Sequence, residues 1–286
     1  MATVAPPKAP PKAPPRQAAS SQTAAGNISS PAVPTARKII RGGQAIGQKI
    51  GIYGPGGIGK SKLWSLAELV GVTPLGIDIE GSCNFLNVPL VQPTPQNWDE
   101  LRAVLHDFDL LKQVGMIAID SFTKAEEFAL EWTLSHVPHE KGHFVSSIEG
   151  YGFGKGTTHL YETFLQLLGD LDAVARAGIH VVFVCHDCTA PVPNPAGEDY
   201  IRWEPRLQSP ASGKSSIRHR VKEWCDHLFF VGYDTWVKEG KATGAGTRTI
   251  YPVELPTHWA KSRLLSSPIV YKDNDPTLWK LLFGKE

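Results

Sequence analysis

Eight residues constrain this chain more than any others: Gly54, Pro55, Gly56, Gly57, Ile58, Gly59, Lys60 and Ser61 satisfy the pattern G-x-x-x-x-G-K-[ST] at every fixed position. Apolar Ile50, Ile52 and Tyr53 lead into them as a short strand, and Leu63, Leu66, Ala67 and Val70 follow at helical spacing. Strand, glycine loop and helix in that order let successive backbone N–H groups turn inward around a polyphosphate. Lys60 is then placed to reach the β and γ phosphates of a nucleotide such as ATP, and the Ser61 hydroxyl to hold Mg²⁺. The plainer reading, a glycine turn that binds nothing, does not explain why both flanks are right.

The rest of the chain reads as an α/β fold of the P-loop NTPase kind, with a mainly parallel central sheet, helices on both faces and a β-hairpin extension near the C-terminus. Residues 74–80 form a short strand ending in Asp78 and Glu80, which share a side of an extended chain and either serve a ligand or cap the following turn. An amphipathic helix is expected over 98–112, and a buried strand over 114–120 with Asp120 at its C-terminal end, the position of a Walker B aspartate. A helix over 123–134 precedes a glycine- and histidine-rich surface loop over 136–157, followed by a helix over 159–177. The strand 179–186 is apolar on both faces and ends in His186. In open α/β sheets ligands sit at that C-terminal edge, so Asp78, Glu80, Asp120 and His186 are expected to converge on the same rim as the phosphate loop. Residues 188–220 read as a long loop, 235–255 as a hairpin turning within 240–246, and a short helix closes the chain at Leu282.

Charge and composition narrow the possibilities. At 286 residues and a formal net charge of +1, the whole-molecule field is too weak to attract nucleic acid, and any such site must be a local patch. Four scattered cysteines suit a reducing compartment, and neither a membrane-length apolar run nor the apolar core of a signal peptide is present. A cytoplasmic protein without a membrane partner is therefore expected. Residues 1–37, with the near-repeat Ala-Pro-Pro-Lys, read as a disordered tail, leaving 38–286 as the ATPase domain.

Hydrolysis needs a residue that orients water in line with the γ phosphate. The position after Asp120 is Ser121, so Glu80 on the neighbouring strand is the well-placed candidate. With Asp78-x-Glu80-Gly81, Asp120-Ser121 and a polar residue ending the next core strand, the chain resembles the RecA/RadA recombinase ATPase core. More closely, it is similar to phage-encoded RecA-like ATPases of single-strand annealing and recombination, over about residues 46–282. The later segments that echo this pattern are Gly150 to Gly156, Val184-Cys185-His186, Glu223-Trp224-Cys225-Asp226 and Ala260-Lys261-Ser262-Arg263. The resemblance implies Glu80 as water-orienting base, Asp120 on Mg²⁺, and His186 as γ-phosphate sensor, where the family often has glutamine. It also implies a homo-oligomeric ring or filament, with Lys261 or Arg263 completing a neighbour's site, and a phage protein would act in the host cytosol.

Two stretches interleave aromatics with cations, as single-stranded DNA requires. They hold Tyr151, Phe153 and Lys155 in the first loop, and Tyr200, Arg202, Trp203, Arg206, Lys214, Arg218 and Arg220 in the second. The resemblance places a DNA-binding loop after the sensor strand, with a single-strand-binding protein as a further candidate partner. The rival readings are an ATP-switched adaptor for a protein partner, a helicase-type motor and a small-metabolite phosphotransferase; the last would need an arginine-rich lid that these loops lack. A zinc site at Cys185-His186-Asp187-Cys188 has no second C-x-x-C to complete it.

Overall fold

The computed structural model describes residues 46–238 and 241–284. The proline-rich segment 1–37 and its boundary with the ATPase domain lie outside the described residues. The chain forms β1 (Lys49–Tyr53), α1 (Lys60–Ser65), β2 (Pro74–Asp78), α2 (Trp98–His106), α3 (Phe108–Leu111), β3 (Met116–Asp120) and α4 (Phe122–His136). It continues through α5 (Lys155–Arg176), β4 (His180–Cys185), β5 (Asp187–Val192), β6 (Tyr200–Pro205), α6 (Ile217–Trp224), β7 (His227–Lys238), β8 (Lys241–Tyr251), β9 (Ile269–Tyr271) and α7 (Thr277–Phe283).

The main sheet runs β2-β3-β4-β1-β7-β8-β9. Its first five strands are parallel, and β8 and β9 add antiparallel. Strands β1 to β4 are five or six residues long and almost wholly buried, as strands covered by helices on both sides are, whereas β7 runs for 12 residues and is exposed at Tyr233 and Thr235. Alternation along the strands divides the interior in two. Ile50, Ile52, Ala118, Val182 and Val184 pack with α1 and α7, whereas Ile117, Ile119, Val181 and Phe183 pack with α2, α4, α5 and α6. Gly51 breaks the apolar run of β1 because the Phe183 ring crosses it; a Cβ there would lie 2.4 Å from that ring.

Several expected elements take a different form. The single helix over 98–112 divides at Asp107, whose carboxylate accepts the Leu110 N–H and starts α3 afresh. The expected loop over 188–220 contains the two-stranded sheet β5–β6, paired from Asp187 with Pro205 to Val192 with Tyr200, and then α6. Its prolines suggest a loop, but β5 pairs on one side only, and an edge strand tolerates proline. Residues 241–246, expected as a turn, are already strand β8, and the two strands meet at Lys238 and Lys241. Lys155 to Thr157 belong to α5 rather than to the preceding loop.

The C-terminal helix holds the phosphate-loop helix in place. Trp279 is fully buried, and its indole N–H donates to the Leu63 carbonyl of α1 at 2.7 Å. Trp279→Ala removes that bond and opens a cavity beneath α1. Its urea unfolding midpoint is expected to fall by the equivalent of about 3–5 kcal/mol.

Candidate nucleotide site

The loop between β1 and α1 bends through positive φ at Gly54, Gly57 and Gly59. Gly59 caps α1 in the left-handed region that side chains rarely adopt, which explains its fixed place in the pattern. Lys60 is nearly buried and its ammonium donates to the carbonyls of Gly54 and Pro55 at 2.8 and 2.9 Å, across the loop it belongs to. Burial lowers its pKa, and the charge of Asp120 opposes that shift. The far side of the loop is braced by the outer strands. Arg248 of β8 donates to the Ile58 carbonyl at 3.1 Å and Tyr271 of β9 to the Gly59 carbonyl at 2.8 Å, with the guanidinium stacked over the Tyr271 ring.

Asp120 ends β3 with 2% exposure. One carboxylate oxygen accepts the Ser61 hydroxyl at 2.6 Å and the Trp64 indole N–H at 3.1 Å. Burial raises its pKa, the hydrogen bonds from Ser61 and Trp64 oppose the rise, and Asp78 and Glu80 add to it. A hydroxyl and a carboxylate so joined are the hard oxygen donors that Mg²⁺ takes, and the cation's charge would reverse the rise. Asp78 does not share the ligand-facing role open to Glu80. Its carboxylate accepts the N–H groups of Ser82 and Cys83, both at 2.9 Å, and so builds the turn after β2.

Glu80 lies beyond that strand. Its Oε1 is 2.6 Å from His186 Nε2. Desolvation raises its pKa, but hydrogen bonds from His186 and Ser121 and the charge of Lys60 outweigh it, so the carboxyl stays below its ordinary range. Lys60, Ser61, Glu80, Asp120 and His186 line one cavity of about 340 Å³ with the loop glycines. Residues far apart in sequence thus meet because parallel β1, β2, β3 and β4 end on one rim.

The nucleic-acid candidates fare unevenly. Tyr151 is no stacking platform: it is buried, and its hydroxyl donates to the carbonyls of Thr133 and Val137. Arg202 and Arg218 are committed to buried Glu204, each at 2.7 Å, and so are not free for phosphate. Lys155 pairs with Glu140 at 2.6 Å. Trp203 is 40% exposed and lines a separate cavity of about 450 Å³ with Pro55, Tyr233 and His258. Tyr200 is half-buried on β6, while Arg206, Lys214 and Arg220 are exposed and Phe153 projects fully into solvent. The two stretches adjoin, since Thr158 of α5 bonds Ser215 at 3.1 Å. Lys261 is not available to a neighbour: its ammonium donates to the carbonyls of Lys222, Glu223 and Cys225 and closes the C-terminus of α6. Arg263 remains exposed and pairs with Asp226 at 3.1 Å.

This arrangement of loop, strand ends and carboxylates defines a P-loop NTPase. A family model described as an AAA domain matches residues 46–264, and the chain belongs to that family, a class of nucleotide-binding and hydrolysing ATPases. No curated protein matches the chain. No helix among the described residues is long and apolar enough to cross a membrane.

The sequence alone did not reveal Trp64 and Ser82. Trp64 reads as part of a helix, although a tryptophan four residues past the loop lysine faces the strand that carries Asp120. Ser82 bridges Asp78 and Ser61, at 3.2 and 3.1 Å, and its only signal was its place two residues after Glu80.

Beside the site, Glu126 of α4 accepts the Gln208 N–H at 2.7 Å. Burial pushes its carboxyl up to about 7, against the pull of that N–H and of Arg218. A carboxyl with a folded pKa above its unfolded value favours the native state while protonated; that advantage is complete below the unfolded pKa and is lost as pH rises toward 7. Glu126→Gln is therefore expected to gain stability relative to the parent between pH 5 and pH 8, by on the order of 2 kcal/mol in paired urea titrations.

Proposed function

We propose that the chain is a Mg²⁺-dependent ATPase of the RecA-like kind that binds single-stranded DNA and assists recombination or strand annealing, as in the phage-encoded proteins it resembles. The observation that carries this reading is the Glu80–His186 pair, in a cavity shared with Lys60 and at the foot of a hairpin. Glu80 is the base that orients water, Lys60 holds the β and γ phosphates, and Ser61 and Asp120 hold the cation. The cation, when bound, supplies charge neutralisation at the phosphates.

His186 joins this pocket to the candidate DNA surface through its own backbone. Its N–H donates to Thr123 Oγ1 at 3.1 Å and its carbonyl accepts the Arg206 N–H at 2.8 Å, so both feet of the β5–β6 hairpin are tied to the residue that touches Glu80. A shift of the hairpin on DNA moves His186, and a γ phosphate that takes the His186 ring moves the hairpin. On this reading Phe153, Tyr200, Arg206, Lys214 and Arg220 carry the DNA contacts, with the aromatics supplying base stacking and the cations phosphate pairing. Exposed Arg263 is the remaining candidate for a neighbour's site in a ring or filament.

Lys60→Ala is expected to abolish ATP binding. Glu80→Gln is expected to keep it while turnover falls at least about hundredfold, the range for loss of a general base; equal rates for parent and Glu80→Gln would remove Glu80 from that role. Replacing Arg206, Lys214 and Arg220 together by alanine is expected to weaken binding of a labelled oligonucleotide uniformly across sequences. The same triple variant should flatten the salt dependence by about one unit of slope for each cation–phosphate pair removed. Oligonucleotide binding that is absent with and without ATP would favour the protein-adaptor reading.

A further inference from the structure

Trp64 of α1 is fully buried, and its indole N–H does not end on a backbone carbonyl, as that of Trp279 does. It donates to the Asp120 carboxylate, Oδ2, at 3.1 Å. Filling an interior does not call for an indole, which brings a polar N–H that must find a partner. The fold also makes room for this ring. Position 76 of the apolar strand β2 is glycine, and a Cβ there would lie 2.7 Å from the Trp64 ring.

The two donors on Oδ2 differ in kind. The Ser61 hydroxyl, at 2.6 Å, rotates about its C–O bond and belongs to the group proposed to meet the cation. The indole N–H cannot turn, because its ring lies wholly within the core that also holds Leu63, Met116 and Ala118. Both bonds fall on one oxygen, and among the described residues no group donates to Oδ1. A carboxylate held by a single rotating hydroxyl could exchange its two oxygens; held by the indole as well, it has one orientation.

We infer that Trp64 is a positioning residue of the cation site: its N–H fixes the Asp120 carboxylate whether or not the Ser61 hydroxyl is engaged by Mg²⁺. This rests on the reading that Ser61 and Asp120 hold the cation. A hydrogen-bond donor behind a ligating carboxylate sets metal affinity without touching the metal, and its loss weakens binding by about ten- to hundredfold. Trp64 thus governs the response to Mg²⁺, whereas the grip on the phosphates belongs to Lys60 and the loop backbone.

The test is calorimetric titration of the full chain with a slowly hydrolysed ATP analogue, once in Mg²⁺ and once in EDTA. Wild type is expected to bind more tightly in Mg²⁺. Trp64→Phe keeps an aromatic ring and lacks the N–H. It is expected to match wild type in EDTA and to lose about tenfold of the tightening that Mg²⁺ gives. In an Asp120→Ala background the same substitution is expected to cause no further loss, since Trp64 acts through that carboxylate. An unchanged response to Mg²⁺, an equal weakening in both conditions, or a full further loss without Asp120 overturns this inference and leaves the phosphate grip standing. Wild-type binding that Mg²⁺ does not tighten overturns the cation assignment together with this inference, and a wild type that binds in neither condition overturns the phosphate-site reading too. Should Trp64→Phe not fold, a crystal structure of wild type with Mg²⁺ and the analogue decides. The indole N–H is expected still on Asp120 Oδ2, and an indole parted from that carboxylate overturns the inference.

Discussion

The carboxylate of Asp120 is the point on which this architecture turns. It ends the β3 strand and is almost entirely out of water, a costly place for a charge unless it is hydrogen-bonded. Ser61 and Trp64, both on the helix that follows the phosphate loop, provide those bonds. The helix is thereby locked to a strand other than the one it grew from, and the loop that begins it takes one shape. Trp279 and Tyr271 add their hydrogen bonds to Leu63 and Gly59 from the other side, so the loop is held from two directions before any ligand arrives.

That rigidity contrasts with the other half of the rim. Glu80 and His186 are partly exposed and meet through one short hydrogen bond. Each belongs to a different segment: the turn built by Asp78, and the hairpin rooted at His186 and Arg206. In the proposed mechanism, a braced phosphate loop beside a separate Glu80–His186 pair would let nucleotide binding and water activation respond to different events. At the base of the hairpin, buried Glu204 pairs with both Arg202 and Arg218 of α6, and Glu254 pairs with Arg202 as well, leaving the exposed charge at Arg206, Lys214 and Arg220.

What the sequence disclosed follows a physical division. The phosphate loop was legible because its glycines answer a backbone need and its flanks carry clean periodicity. Asp120 and His186 were legible because each ends a wholly apolar strand, and such strands end on one rim. Side-chain partnerships across the fold were not. Tyr151 in a glycine-rich stretch reads as an exposed aromatic until the Thr133 and Val137 carbonyls are brought to its hydroxyl. Lys261 reads as a free cation until α6 ends beside it. The β5–β6 hairpin was obscured by Pro191, Pro193 and Pro195, which signal a loop wherever it is unknown that one edge of the strand is unpaired.

The most direct measurement is a crystal structure of the full chain with Mg²⁺ and a slowly hydrolysed ATP analogue. The γ phosphate should lie in contact with the Lys60 ammonium and the cation against Ser61, with the Glu80 carboxylate freed from His186 and a single water between it and the γ phosphorus. A triphosphate bound away from the glycine loop, or Glu80 still paired with His186 and no water in line, would contradict this mechanism.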